Sequence, residues 1–92
     1  MGSRIKNYDV YEIISKNIRR YRKERGMTQE ELAIEANYSP QFIRRIEAPN
    51  IKKSFSLDTL YCIAKALKKD LGEMFDETTI DEPYEDDELN KV

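Results

Sequence analysis

An all-α fold of five short helices is the class that this sequence predicts, and three observations support it. Apolar residues recur every three or four positions through most of the chain. Helix-capping residues separate these stretches, and no strand-like alternation of useful length is present. Ninety-two residues are enough for one compact domain and too few for two. We therefore expect a single helical bundle.

The first helix is predicted over residues 9–26. Asp9 and Glu12 have the spacing of a capping box, and Gly26 suits a helix end because glycine enters the left-handed conformation at little cost. One face of this helix carries residues at helical spacing: Tyr11, Ile14, Ile18, Tyr21 and Arg25. Because aromatic rings at helical spacing are typical of cores and interfaces, we expect Tyr11, Tyr21, Tyr38 and Tyr61 to pack rather than to stack on single-stranded bases.

A second helix is predicted over residues 29–36. Thr28 and Glu31 form a capping box at its start, and Asn37 can end it because asparagine tolerates the left-handed conformation. The small side chain of Ala33 allows a neighbouring helix to approach closely.

A third helix is predicted over residues 39–47, after a connection of only three residues. Ser39 is a good N-cap, Pro40 is favourable at the first helical position, and Pro49 must stop the helix. So short a connection forces a sharp crossing, which is the geometry of a helix-turn-helix that reads DNA. Phe42 has two interpretations: packing inward with Ile46, which we favour, or contact with a thymine methyl group.

Two further helices are predicted beyond a polar, basic loop. Ser56 caps the fourth, whose inward residues are expected to be Leu57, Leu60, Ile63, Ala64 and Leu67. Cys62 is expected to be a small core residue. Asp70 and Glu73 begin a short fifth helix.

The charge of the chain is divided unevenly along its length. Residues 1–75 hold 15 lysines and arginines against 10 acids, a net charge of +5, whereas residues 76–92 hold one lysine against eight acids, a net charge of −7. A basic body suits a polyanionic partner, and a strongly acidic terminus is typical of disordered tails. We expect a flexible N-terminus over 1–8, a domain over 9–75 and an acidic, disordered tail over 76–92.

The composition also excludes several classes of function. The sequence has no histidine and a single cysteine, so it lacks an imidazole base and the ligands of a zinc site. We expect no catalytic residues, no metal and no cofactor. No apolar run approaches the roughly 18 residues of a membrane span, so we expect a cytoplasmic protein with no membrane partner.

A set of ordered motifs over about residues 14–75 resembles the helix-turn-helix domain of the Cro and phage-repressor type, the XRE family. These motifs are Thr28-Gln29-Glu30-Glu31-Leu32-Ala33, Ile46-Glu47 and Ser56-Leu57-Asp58-Thr59-Leu60. The resemblance implies a lambda-repressor-like bundle that binds double-stranded DNA as a homodimer and regulates transcription, most often as a repressor. Its two half-sites would lie about one helical turn, roughly 34 Å, apart on a palindromic operator.

The resemblance and the position of the third helix nominate the residues that read DNA. The base contacts are expected from Pro40, Gln41, Arg44 and Arg45. Gln41 suits adenine and Arg45 suits guanine, because each matches the hydrogen-bonding groups of that base in the major groove. Arg44 is left open between a base and a phosphate.

Other positions are expected to support binding. The predicted phosphate contacts are Gln29, Asn50, Lys52 and Lys53. The resemblance implies a structural ion pair between Arg22 and Glu47. The predicted dimer interface is formed by Leu71, Met74 and Phe75, because nothing beyond them is expected to cover these apolar side chains.

Alternatives remain open at this stage. The alternative dimer site is the N-terminal turn with Val10 and Tyr11. A protein-interaction module, such as an antitoxin with a protein partner, is the principal functional alternative. A controller protein of a restriction-modification system is a second, and an enzyme comes last. The family usually has glycine at the position of Asn37 and after Glu47, so this chain departs from the pattern there.

Overall fold

The computed structural model describes residues 10–49, 51 and 53–79, and over these residues the fold is helical without strands. Its elements are α1 (Val10–Glu24), α2 (Gln29–Ala36), α3 (Pro40–Glu47), α4 (Leu57–Ala66) and two 3₁₀ helices, Leu71–Phe75 and Glu77–Thr79. The all-α prediction is therefore confirmed, whereas the predicted fifth helix is a 3₁₀ helix. A five-residue segment that contains Gly72 is short for an α-helix and suits the tighter 3₁₀ form.

The predicted C-terminal end of α1, both predicted ends of α2 and the predicted start of α3 are present in the structure. The Glu31 backbone N–H donates to Thr28 Oγ1 at 3.0 Å, and the Thr28 N–H donates to the Glu31 carboxylate at 2.8 Å. Gly26 and Asn37 both adopt the left-handed conformation, with φ of 68°. Ser39 accepts from the Phe42 N–H at 3.1 Å. The predicted cap at Asp9 lies outside the described residues.

The core forms where α1, α2, α3 and α4 meet. Its fully buried side chains include Ile18, Leu32, Ile43, Ile46, Ile63 and Leu67. Two predictions for α4 are wrong, because Leu57 and Cys62 are exposed. Cys62 lies on the side of α4 nearly opposite Leu60, since two residues turn a helix by about 200°.

The second half of α1 holds the C-terminal part of the described chain. Asn17 Nδ2 donates to the Met74 carbonyl at 2.8 Å and to the Asp76 carbonyl at 2.9 Å. The Tyr21 hydroxyl donates to the Glu73 carbonyl at 3.0 Å, and burial raises the pKa of this phenol. The packed structure thus continues past the predicted boundary at residue 75, through Glu77–Thr79.

The remaining predicted segments, 1–8 and 80–92, lie outside the described residues. Within the part that the structure describes, no helix has the length and apolar character needed to cross a membrane.

Candidate nucleic-acid interface

The turn between α2 and α3 is fixed by Tyr38. Its backbone N–H donates to the Ala33 carbonyl at 2.9 Å, which closes the end of α2. Its ring stacks on Phe42, with centroids 4.8 Å apart, and its hydroxyl donates to Thr59 Oγ1 at 2.9 Å. Phe42 is half-buried and packs against the core, as the inward interpretation expects. The turn is therefore tied to both α3 and α4.

The helix α3 has two different faces. Its inner face is buried and consists of Ile43, Ile46 and Glu47. Its outer face exposes Gln41, Arg44 and Arg45, and Pro40 is half-buried at its start. The structure thus brings the four predicted base-contacting residues together on the solvent side of one short helix.

The C-terminal end of α3 is joined to α1 by a buried ion pair. Arg22 Nε donates to Glu47 Oε2 at 2.7 Å, and Arg22 Nη2 donates to Glu47 Oε1 at 2.9 Å. Arg22 Nη1 also donates to the Met27 carbonyl at 2.8 Å. Two parallel hydrogen bonds fix the orientation of both groups as well as their separation, so this pair sets where α3 ends relative to α1.

Gln29, the first residue of α2, joins the same cluster. Its Nε2 donates to Glu47 Oε1 at 3.0 Å. The side-chain amide, which we expected at a phosphate, is therefore held by Glu47 through one N–H, and its second N–H remains for another acceptor. Glu47 thus links α1, α2 and α3 through one carboxylate.

Lys53 is placed differently from the prediction. Its side chain is only 2% exposed, and its Nζ donates to the Ala48 carbonyl at 2.7 Å and lies 3.8 Å from Glu12 Oε1. The last carbonyls of a helix lack partners within the helix, and a cation is favourable at this end of the dipole. The prediction of a phosphate contact at Lys53 is therefore wrong. The other loop residues predicted to contact phosphate, Asn50 and Lys52, lie outside the described residues.

Ser15 provides a second polar anchor for this end of α3, one that sequence reasoning missed. It is fully buried on α1, and its Oγ donates to the Ile46 carbonyl. The only signal that could have pointed to it is its position one turn from both Tyr11 and Ile18, which mark the inward face of this helix.

Glu30 was also missed by sequence reasoning, although it lies beside the predicted reading residues. Its Oε2 is 3.2 Å from Arg44 Nη1, so this exposed pair joins the first turn of α2 to the outer face of α3. An acidic group in this position would repel a phosphate, and it holds a guanidinium that we expected to contact DNA. The Arg45 and Gln41 side chains are exposed on the same face.

The predicted dimer residues do not form one exposed surface. Met74 is completely buried in the core of its own chain and Leu71 is half-buried against that core, so of the three only Phe75 is exposed. Met74 is covered because the hydrogen bonds from Asn17 hold the 3₁₀ helix against α1. The prediction for Met74 is thus wrong. At the alternative site Val10 is exposed, and the Tyr11 ring packs edge-on against Phe55.

Comparisons with known proteins agree with this geometry. A family profile described as helix-turn-helix matches residues 18–74, which is more than half of the chain. The chain is also 32% identical over 59 residues to an uncharacterized HTH-type transcriptional regulator, y4dJ, of Sinorhizobium fredii (strain NBRC 101917 / NGR234). That similarity covers 64% of this chain and 74% of the relative. No solved structure matches the chain.

Proposed function

The chain belongs to the helix-turn-helix family, and from that membership we propose that it is a sequence-specific regulator of transcription that reads double-stranded DNA with α3. The division of α3 into a locked inner face and an exposed outer face carries this proposal. Glu47 is fixed by Arg22 and Gln29, so the outer residues are presented at a defined angle.

The outer face of α3 supplies the direct readout. Arg45 can donate two hydrogen bonds to the O6 and N7 acceptors of guanine, and Gln41 can both donate to and accept from adenine. Pro40 offers an apolar contact suited to a thymine methyl group. Arg44 serves a base or a phosphate once it leaves Glu30.

Phosphate contacts position α3 without reading sequence. Gln29 offers its second amide N–H to a phosphate. Asn50 and Lys52 complete the proposed contacts on the loop after α3.

We further propose that two copies bind the two halves of a palindromic operator, so that two short helices together specify one site. Binding at a promoter would most often repress transcription. A controller of a restriction-modification system would read DNA in the same way.

The proposal is tested by selecting bound duplexes from a random pool and then measuring Arg45→Ala on the selected site. We expect a loss of about 1–3 kcal/mol and relaxed choice at one base pair per half-site. Arg20→Ala, which changes an arginine on α1, is the matched control and should leave the preference unchanged. Enrichment of no duplex would favour the protein-interaction module, and an equal loss on scrambled DNA would remove Arg45 from the groove.

A further inference from the structure

The solvent side of α4 carries two large apolar side chains. Leu57 is 65% exposed and Tyr61, one turn later, is 53% exposed. Asp58, Cys62 and Lys65 are also exposed and complete a continuous face, which we call the α4 outer face. Neighbouring exposed apolar groups of this size indicate a surface that binds a partner.

The two ends of the α4 outer face have opposite character. Its N-terminal end presents a projecting leucine, Leu57, beside the acid Asp58. Its C-terminal end borders a groove of about 330 Å³, which is lined by Tyr61, Ala64, Lys65, Lys68, Lys69, Asp70 and Leu71. One end thus offers an apolar knob and a negative charge, and the other offers a groove rich in lysine.

We propose that this face binds the same face of a second copy, with the two α4 helices antiparallel about a two-fold axis near Tyr61 and Cys62. The pairing places the partner's Asp58 opposite Lys65 and the partner's Leu57 at the groove, and the symmetry repeats both contacts. Antiparallel helices also bring opposite ends of their dipoles together. This inference rests on the proposed function, whose palindromic site requires two copies.

A second copy fits this surface better than DNA does. Leu57 and Tyr61 present apolar surface that a phosphate backbone does not match, with Lys65 Nζ 5.7 Å from the Tyr61 ring centroid, and Asp58 would repel a phosphate. Parallel pairing of two copies would set acid against acid and lysine against lysine. One face of a ten-residue helix is smaller than the interface of a stable dimer, which buries about 1,200–2,000 Å². The free protein should therefore dimerise weakly, in a way that depends on its concentration, and pair more fully on DNA.

The first test compares Tyr61→Asp with Phe75→Asp, which introduces the same charge at another exposed aromatic residue. Sedimentation of the full chain should show at least a tenfold weaker dimer for Tyr61→Asp and an unchanged dimer for Phe75→Asp. Circular dichroism checks that both variants fold. A monomeric Phe75→Asp beside a dimeric Tyr61→Asp would overturn the proposal.

A charge exchange tests the antiparallel register and does not depend on Tyr61. Asp58→Lys and Lys65→Asp should each weaken self-association several-fold, because each sets like charges against each other across the axis. An equimolar mixture of the two variants should dimerise as the wild type does, because opposite charges then face each other at both ends. Absence of recovery in the mixture would refute the register.

Cys62, the only cysteine in the sequence, lies near the proposed two-fold axis, so cross-linking through its thiol tests the pairing directly. A short bis-maleimide should link two copies of the wild type and two copies of Phe75→Asp. The yield of linked dimer should be several-fold lower for Tyr61→Asp. On an isolated half-site, Tyr61→Asp should bind as the wild type does and lose affinity only on the full palindrome. If the wild type does not bind the half-site, the proposed function itself is refuted. Unchanged cross-linking of Tyr61→Asp would refute only the pairing.

Discussion

Two arginine–glutamate pairs join α3 to its neighbours, and they differ in almost every respect. In the first pair, Arg22 Nε lies 2.7 Å from Glu47 Oε2, and the two side chains are 3% and 1% exposed. In the second pair, Arg44 Nη1 lies 3.2 Å from Glu30 Oε2, and the two side chains are 49% and 60% exposed. Because water screens the second pair and not the first, only the buried pair should fix the position of the helix. Breaking the exposed pair should cost little free energy, which suits the proposed role of Arg44 in contacting DNA.

The largest expected effect comes from breaking the buried pair. Glu47→Ala leaves the Arg22 guanidinium buried without its carboxylate, so the free energy of unfolding should fall by about 3–5 kcal/mol. Urea denaturation measures this loss. Glu30→Ala is the matched control and should change the stability by at most about 1 kcal/mol. The double replacement of Arg22 and Glu47 by methionine should lose less than Glu47→Ala, and similar losses for Glu47→Ala and Glu30→Ala would contradict the comparison.

A smaller effect is expected at Lys53, which holds the same buried end of α3. Lys53→Met removes the hydrogen bond to the Ala48 carbonyl and should cost about 1–3 kcal/mol of stability. The salt dependence of DNA binding should stay the same, because this amine does not face a phosphate. A phosphate contact would show itself instead as a salt slope lowered by roughly one per monomer.

The exposed pair should affect binding more than stability. Glu30→Gln removes an acid beside the proposed DNA-binding face and releases Arg44. Affinity for random duplexes should therefore rise several-fold at low salt, and the gain should fade as salt is added. The unfolding free energy should change by no more than about 0.5 kcal/mol. Glu35→Gln, on the same helix, is the control for net charge, and an equal gain there would show that the position of Glu30 does not matter.

The smallest effect concerns Asp76, a partly exposed carboxylate that accepts a hydrogen bond from a backbone N–H. The Thr78 N–H donates to Asp76 at 2.9 Å and lowers the pKa of that carboxyl below its ordinary value of 3.8. A lowered pKa stabilises the fold above the ordinary value, and the stabilisation is lost as the pH falls through the lowered pKa. The difference in thermal midpoint between wild type and Asp76→Asn should therefore shrink as the pH drops below about 4. A pH-independent difference would assign the effect to other contacts.

The features that could be predicted from sequence are those that depend on neighbouring residues. Thr28 and Glu31 form their capping box within four residues, and Gly26 and Asn37 meet a local demand for the left-handed conformation. The outer residues of α3 follow from helical spacing in the same way. Such features need no knowledge of which helix lies next to which.

The features that were missed depend on tertiary packing. The amine of Lys53 is buried because it satisfies a carbonyl at the end of α3, and Met74 is buried because Asn17 holds its backbone. Cys62 looked apolar in a helical pattern, yet its side chain is exposed on α4. Charge and hydrophobicity alone do not reveal such partners.

The separation of α3 into two faces has a consequence for how such proteins diverge. The inner residues Ile43, Ile46 and Glu47 are committed to the fold, whereas Gln41 and Arg45 are exposed. Substitutions at these two positions can therefore accumulate without first unfolding the chain. If α3 reads DNA as proposed, a duplicated copy acquires a new target sequence through a few changes on one side of a single helix, while the other side preserves the ancestral architecture.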